Sequence, residues 1–167
     1  VFRGGPLEEA TDGVIDLLID INLRGLLCLT RAAIPELKKT RGQIVNVASG
    51  LAARALPGPG CAVYAATKGA VETLTRSLAV ELAPAGVRVN AVSPAMVETP
   101  IYEAFMPKGA VGAAMENMAA LHPLGRMGQP EEIAEAILFL LTSAISRRSS
   151  RRRCSSPPRE WLRRSSS

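Results

Sequence analysis

The chain has 167 residues and a mass of 17.6 kDa, and 47% of its residues are hydrophobic against 21% charged. These values suit one globular domain, or part of a larger one, and exclude a wholly disordered chain, a collagen-like repeat and a disulfide-stapled miniprotein. The net charge of +5 is uneven, because residues 147–167 carry eight arginines and one acid, a net +7, whereas residues 1–146 carry a net −2.

A Gly- and Pro-containing lead-in over residues 1–10 precedes the first predicted helix. Apolar side chains recur at helical spacing over residues 11–40, which predicts a long helix with Thr11 or Asp12 as its N-terminal cap. Pro35 is expected to end or bend this helix near its last turn.

Two short β-branched runs follow, each after a glycine. QIVNVAS at residues 43–49 and VRVNAV at residues 87–92 have the length and composition of buried strands. A Gly- and Pro-rich loop over residues 50–60 and a second long helix over residues 62–83 separate the two strands.

The last third of the chain is less regular. Residues 94–121 show only short helical patches, and GQPEE then begins a helix that runs to about Leu141, with Pro130 in its first turn. Further on the composition turns to Ser, Arg and Pro, which predicts disorder. We therefore expect a folded part over residues 1–146 and a low-complexity basic tail over residues 147–167.

Helices thus alternate with short apolar strands along the chain. This order predicts an α/β fold with a doubly wound parallel sheet that helices cover on both faces. Ligands of such folds bind beyond the carboxyl ends of the strands. The two strands here end beside Ser49 and Ser93, so both serines are candidate site residues.

The cysteines and the single histidine offer little chemistry. Three widely spaced cysteines and one histidine suggest neither a disulfide framework nor a metal site, and they favour a reducing compartment, the cytoplasm. The sequence has no apolar run long enough to span a membrane. Arginine clusters bind phosphates, but a solvated tail is the simpler interpretation here, so a nucleic-acid partner is not expected.

Tyr64 and Lys68 lie four residues apart in YAATK, on one face of the second predicted helix. An ammonium group beside a phenol lowers the pKa of the phenol. A phenol tuned in this way can exchange a proton with an alcohol or carbonyl oxygen. Taken alone, the same spacing is more often an ordinary surface pair.

Two polar residues give the pair a context. Ser49 closes the first strand, where its hydroxyl can hydrogen-bond a substrate carbonyl; the alternative is an ordinary helix-start residue. Asn22 lies among apolar residues of the first helix and needs hydrogen-bond partners once buried. The alternative for Asn22 is a local kink of the helix.

The chain resembles the short-chain dehydrogenase/reductases, and among them the 3-oxoacyl-carrier-protein reductases. Five motifs in order carry the resemblance: INLRG at 21–25, NVAS at 46–49, YAATK at 64–68, NAVSPAMVET at 90–99 and LGRMGQPEEIAEAILFL at 124–140. The resemblance implies a partial Rossmann-like sheet and an oxidoreductase, dependent on NAD or NADP, that interconverts a small-molecule alcohol and a ketone or aldehyde.

The resemblance also implies roles for individual residues. Tyr64 would be the general acid and base, with its pKa lowered by Lys68, which would also hydrogen-bond the nicotinamide ribose. Ser49 would orient the substrate carbonyl, and Asn22 would hold a water of the proton relay. The contacts to the nicotinamide carboxamide would come from Pro94, Val97 and Thr99.

The sequence departs from the family at both ends. The Gly-rich T-G-x-x-x-G-x-G and N-N-A-G motifs do not occur in it, and the Arg/Ser tail stands where a last strand is expected. We therefore expect the N-terminal half of the fold to be missing, cofactor binding by this chain to be doubtful and its sheet edges to be unpaired. The choice between NAD and NADP stays open.

Three further expectations follow from the resemblance. Residues 98–121 would form a mobile substrate lid, and the two long helices would build a homo-oligomer. Leu74, Leu78 and Leu82 could lie in that interface or could face their own sheet. The alternative function is a non-catalytic fragment that acts as a dimerisation or binding module.

Overall fold

The computed structural model describes residues 1–55, 60–104 and 109–142. Its regular elements, in chain order, are the helices and strands α1 (Asp12–Ile19), α2 (Leu26–Thr40), β1 (Gln43–Val47), α3 (Ala62–Leu82), β2 (Arg88–Val92), α4 (Val111–Leu121) and α5 (Pro130–Thr142). The predicted order of helices and strands is confirmed.

The first long helix is continuous from α1 to α2, but it contains a π-helical segment at Asp20–Gly25. Thr11 caps it, since its Oγ1 accepts a hydrogen bond from the Val14 N–H at 3.3 Å. The helix passes Pro35 and ends at Thr40, where Arg41 takes a left-handed conformation with φ of 52°. The periodicity predicted the extent of this helix, whereas the π-helical segment was not predicted.

The strands β1 and β2 pair in parallel, with Ile44 opposite Val89. Within the described part of the chain they make up the whole sheet. This confirms the parallel α/β class that the alternation of elements predicted.

One face of the sheet is covered by α3 and α2. Leu78 and Leu82 of α3 are buried and form the core with Val87 and Val89, and side chains of β1 and of the end of α2 complete it: Ile34, Leu37 and Ile44. Leu74 packs against the same cluster. Of the two interpretations left open for the α3 leucines, the structure therefore supports the one in which they face their own sheet.

The other face of the sheet is covered by α5. The Arg88 guanidinium, on the opposite side of β2 from Val89, donates to the carbonyl oxygens of Leu140 at 2.8 Å and Leu141 at 3.4 Å. Arg88 thereby satisfies carbonyl groups at the end of α5, which a helix terminus otherwise leaves without partners. The sheet is covered on both faces, as a doubly wound fold requires.

Between β2 and α5 the chain forms a short 3₁₀ helix, Pro100–Ala104, and then α4. The predicted lid, residues 98–121, is thus largely helical where it is described. Residues 56–59, 105–108 and 143–167 lie outside the described residues, and with them the predicted disorder of the tail. None of the helices in the described part is long and apolar enough to cross a membrane.

Candidate active site

The carboxyl ends of the two strands are joined by main-chain hydrogen bonds. The Ala48 N–H donates to the Val92 oxygen at 2.8 Å, and the Gly50 N–H donates to the Pro94 oxygen at 2.7 Å. These bonds hold the turn after β1 beside the loop after β2. Ser49 and Pro94 therefore lie at one edge of the sheet, where the parallel topology predicted a site.

Ser49 and Tyr64 meet at this edge. Ser49 is buried, 7% exposed, and its Oγ accepts a hydrogen bond from the Leu51 N–H at 3.2 Å. Tyr64 lies in the first turn of α3, and its phenol is close enough to the Ser49 side chain for their interaction to lower the pKa of the phenol. The two hydroxyl groups that the sequence predicted to act together thus lie near each other.

Burial dominates the acidity of Tyr64. It raises the pKa of the phenol above its ordinary value of 10.0, while the interaction with Ser49 lowers that pKa and the nearby Cys61 raises it, each by less. The predicted lowering of this pKa by Lys68 is not found. The Lys68 ammonium lies over the Tyr64 ring, 5.8 Å from its centre, and donates a hydrogen bond to the Val47 carbonyl oxygen.

Lys68 lies one helical turn after Tyr64 and reaches the end of β1. Its Nζ donates to the Val47 carbonyl oxygen at 2.8 Å. Burial lowers the pKa of the Lys68 ammonium, because a low-polarity environment disfavours the charged form. Lys68 is therefore tied to the strand edge beside Ser49.

Asn22 is buried in the π-helical segment and has several partners. Its Oδ1 accepts from the Val1 nitrogen at 2.8 Å, and its Nδ2 donates to the Val1 oxygen at 2.9 Å and to Thr67 Oγ1 at 3.2 Å. Thr67 Oγ1 in turn donates to the Tyr64 carbonyl oxygen at 2.7 Å. A chain of hydrogen bonds thus connects Asn22 to the helix turn that carries Tyr64.

Asn22 and Lys68 also share an open cavity of about 400 Å³, which Val47 and Val71 help to line. The volume is ample for ordered water, since one molecule occupies roughly 30 Å³ of the liquid. The two side chains make no direct hydrogen bond among the described contacts, so a connection between them needs a bridging molecule.

The predicted nicotinamide contacts lie in one ordered loop after β2. The Gly128 N–H donates to the Met96 oxygen and the Glu98 N–H donates to the Gly128 oxygen, both at 2.9 Å, which places Val97 in a bridge with Gly128. Pro94, Val97 and Thr99 are all half-buried. The Lys68 ammonium has three N–H donors and uses one of them on Val47.

Ser93, the other serine at a strand end, does not join the site. It is exposed and donates to Glu72 Oε1 on α3 at 2.7 Å. A larger cavity of about 530 Å³ lies next to Arg126 and Glu132 at the start of α5. None of the predicted catalytic residues lines it, so we take the Tyr64 edge as the site on chemical grounds.

Two aromatic residues near Tyr64 were not predicted. The Phe2 ring meets the Tyr64 ring edge to face, with 4.8 Å between centroids and 69° between planes. Burial raises the pKa of Tyr102, a hydrogen bond with the Val97 backbone lowers it by less, and the nearby Tyr64 raises it least of the three. No periodicity or motif marks either residue, because one lies in the irregular lead-in and the other in the irregular segment after β2.

The chain was compared with known proteins. Residues 2–148 match the family model described as "Enoyl-(Acyl carrier protein) reductase". L-fucose dehydrogenase of Oryctolagus cuniculus is 41% identical over 146 residues, which cover 83% of this chain and 49% of that protein. The 3-oxoacyl-[acyl-carrier-protein] reductase FabG of Thermotoga maritima is 41% identical over 147 residues, which cover 87% and 57%.

A solved structure shows the same likeness. The short-chain dehydrogenase/reductase of unknown function from Caenorhabditis elegans, crystallised with cofactor, superposes with a TM-score of 0.76 at 36% identity, over 83% of this chain and 52% of that one. The chain spans about half the length of the curated relatives that it matches. By the family model, these relatives and the shared fold, the chain belongs to the short-chain dehydrogenase/reductase family.

Proposed function

We propose that the protein is an NAD(P)-dependent oxidoreductase that interconverts an alcohol and a ketone or aldehyde. The observation that carries this proposal is the proximity of the buried Ser49 side chain to the Tyr64 phenol at the carboxyl edge of the sheet. Two adjacent hydroxyl groups can both reach one carbonyl oxygen, which is the arrangement that polarises a carbonyl and protonates it.

The proposed steps use the groups at this edge. Ser49 donates a hydrogen bond to the substrate carbonyl oxygen and orients it, and Tyr64 transfers its proton to the same oxygen as the alcohol forms. The hydride for the carbonyl carbon would come from a nicotinamide cofactor when one is bound, and would return to it in the reverse reaction. One hydride and one proton convert the carbonyl group into the alcohol.

The protonation state of Tyr64 suits the reductive direction. Burial raises the pKa of Tyr64 above 10.0, so the phenol carries its proton at neutral pH. Reduction needs this proton, whereas oxidation needs the phenolate.

Lys68 and Asn22 have supporting roles in the proposal. The Lys68 ammonium would hold the nicotinamide ribose through the donors that Val47 leaves available. The cavity that Lys68 shares with Asn22 has room for the water of a proton relay, by which Tyr64 recovers its proton after each turnover. The loop residues named above, Pro94, Val97 and Thr99, would hold the nicotinamide carboxamide.

The substrate is proposed as a small alcohol or carbonyl compound. Support comes from the printed names of relatives, which include L-fucose dehydrogenase and a 3-oxoacyl-[acyl-carrier-protein] reductase.

We also propose a homo-oligomer built through α2 and α3. Leu29 on α2 is 69% exposed and Val80 on α3 is 78% exposed. Each is a large apolar side chain on the outer face of a long helix, a position that an interface with a second copy would bury.

A second candidate function is a non-catalytic binding or dimerisation module. It is favoured by the exposed apolar side chains of Leu29 on α2 and Val80 on α3, which a bound partner would cover.

One assay separates the two functions. NADH or NADPH and a short ketone are added to the full chain, and oxidation of the cofactor is followed by absorbance. We expect slow turnover that Tyr64→Phe reduces by about 10² to 10⁴ and that Ser49→Ala also reduces. Ser93→Ala is the matched control, because it removes the serine at the other strand end, and it should keep the parent rate.

Absence of turnover by the parent chain, together with absence of calorimetric heat on titration with NADH or NADPH, would contradict the enzymatic function for this chain. Equal turnover by the parent and by Tyr64→Phe would contradict the role of Tyr64 alone.

A further inference from the structure

The segment of residues 1–5, here called the strap, crosses the candidate site and is fixed at both ends. At one end the Asn22 Nδ2 donates to the Val1 carbonyl oxygen at 2.9 Å. At the other end the Gly5 N–H donates to the Gly60 carbonyl oxygen at 3.0 Å. Two anchors on different elements determine where the strap lies.

The second anchor depends on a close approach of two backbones. Gly60 has φ of +87°, and a Cβ at this position would lie 2.6 Å from the Gly5 carbonyl oxygen. Only glycine fits both the conformation and the distance. Gly60 directly precedes Cys61 and α3, so this contact ties the strap to the start of the helix that carries Tyr64.

The two anchors hold Phe2 against the catalytic phenol. The Phe2 and Tyr64 ring centroids are 4.8 Å apart, and the planes are inclined by 69°, which is the edge-to-face geometry that aromatic pairs prefer. Gly4 lies beneath the Phe2 ring, since a Cβ there would be 3.3 Å from Phe2 Cε1. The Phe2 ring therefore packs against both Gly4 and the Tyr64 ring.

We propose that Phe2 is a specificity-determining wall beside the Tyr64 phenol, an inference that rests on the proposed function. Its ring occupies space beside the phenol, so it limits the bulk of the group next to the carbonyl carbon of a substrate. The same ring excludes water from one side of the phenol. Phe2 thereby favours ketones with a small or flat apolar substituent and disfavours branched ones.

The first test needs no turnover. The chain has two tyrosines, so in a Tyr102→Phe background the tyrosinate absorbance titrates Tyr64 alone. We expect Phe2→Ala to lower the pKa of Tyr64 toward 10, because water reaches the phenol. Gly60→Ala should act in the same direction by displacing the strap, although both aromatic rings remain.

Leu7→Ala is the matched control, since Leu7 follows the strap and is 58% exposed; it should leave the Tyr64 pKa unchanged. Far-ultraviolet circular dichroism at each pH verifies that every variant is folded, and Phe2→Leu replaces Phe2→Ala where it is not. An unchanged pKa of Tyr64 in the folded Phe2 variant would overturn the proposal that Phe2 excludes water from the phenol.

The second test measures selectivity. The ratio of kcat/KM for 3,3-dimethyl-2-butanone to that for 2-butanone should rise on the order of ten-fold in Phe2→Ala and stay constant in Leu7→Ala. A parent that turns over both ketones with a ratio unchanged in Phe2→Ala would overturn the inference and leave the proposed function standing. A parent without turnover whose pKa still responds to Phe2→Ala would reject the function but retain the contact of Phe2 with the phenol.

Discussion

Tyr64 and Lys68 respond in opposite directions to the same environment. Burial raises the pKa of the phenol and lowers the pKa of the ammonium, so the low polarity of this edge favours the neutral form of each side chain. The phenolate that alcohol oxidation needs therefore forms only at high pH in the chain without a cofactor.

The upward shift of the Tyr64 pKa predicts how the rate of the reaction depends on pH. Because the pKa of Tyr64 lies above 10.0, kcat/KM for alcohol oxidation should keep rising with pH up to and beyond 10. The kcat/KM for carbonyl reduction should be constant at neutral pH and should fall above the pKa of Tyr64, where the phenol loses its proton. A plateau of the oxidation rate already at pH 8 would show that another group is the base.

Asn46 offers a prediction on stability. Its Nδ2 donates to Thr75 Oγ1 at 2.8 Å, and both side chains are buried between β1 and α3. Thr75→Val keeps the shape but leaves the Asn46 amide without this partner, so we expect a loss of about 1–3 kcal/mol in the free energy of unfolding. Thr73→Val, on the exposed side of the same helix, should change it by less than about 0.5 kcal/mol. Urea titration measures both, and equal effects would contradict the buried role.

At the residue scale the sequence predicted which side chains meet, but not what burial does to them. Helical spacing placed Tyr64 with Lys68, and the end of β1 placed Ser49 beside them. The direction of the Tyr64 pKa shift depends on how much apolar surface surrounds the phenol, part of which comes from Phe2. That contact joins residues far apart in sequence, and no local pattern encodes it.

The start of α5 is the clearest case of an element that its own side chains define. Arg126 donates through both terminal nitrogens to the Glu132 carboxylate, at 2.9 and 2.7 Å, and the Gln129 N–H donates to the same carboxylate at 2.7 Å. These bonds hold the pKa of Glu132 at about 2. The carboxylate satisfies a backbone donor that the helix terminus would otherwise leave exposed.

Removing this carboxylate should loosen the first turn of α5. We expect Glu132→Gln to speed hydrogen exchange at Gln129, whereas Glu131→Gln, one residue away, should not. Since the folded pKa is depressed from 4.5 to about 2, protection should be full above pH 4.5 and fall as the pH approaches 2. Loss of protection at pH 4 would contradict the ion pair.

The π-helical segment is the element that the sequence could not predict. Apolar periodicity indicated one long helix over residues 11–40, and the structure has one, but the extra residue in the turn at Asp20–Gly25 follows from the tertiary contacts of Asn22. Short π-helical turns are often found at functional sites, and here the turn brings a buried amide to Thr67. The structure places Asn22 within this irregular turn, and its functional role stays a prediction.

At the scale of the molecule, the buried core is small and several large apolar side chains are exposed on the helices. The buried apolar side chains centre on Leu78, Leu82, Val87 and Val89, whereas Leu29 and Val80 are exposed on the long helices. The layered α/β class could be read from the alternation of elements, because that alternation restricts the possible packings. The partner that covers the outer faces of the helices could not be read from the sequence, because it depends on contacts between molecules.

The proposed oligomer gives a prediction with a matched control. Leu29→Glu on α2 should shift the mass measured by light scattering toward that of one chain, because it places a charge in the proposed interface. Leu121→Glu on α4 changes a leucine of similar exposure, 71% against 69%, and should leave the mass unchanged. The same mass in both variants would contradict an interface through α2.

The hydrogen bond from Lys68 to Val47 also affects the outer edge of the sheet. The Ala48 N–H is directed toward β2, so the Val47 carbonyl, which belongs to the same trans peptide group, is directed toward the opposite side. A further strand added at that side would pair along Val45 but would meet the Lys68 ammonium at Val47. We therefore expect pairing to weaken at Val47, which would leave a space between such a strand and the helix that carries Tyr64.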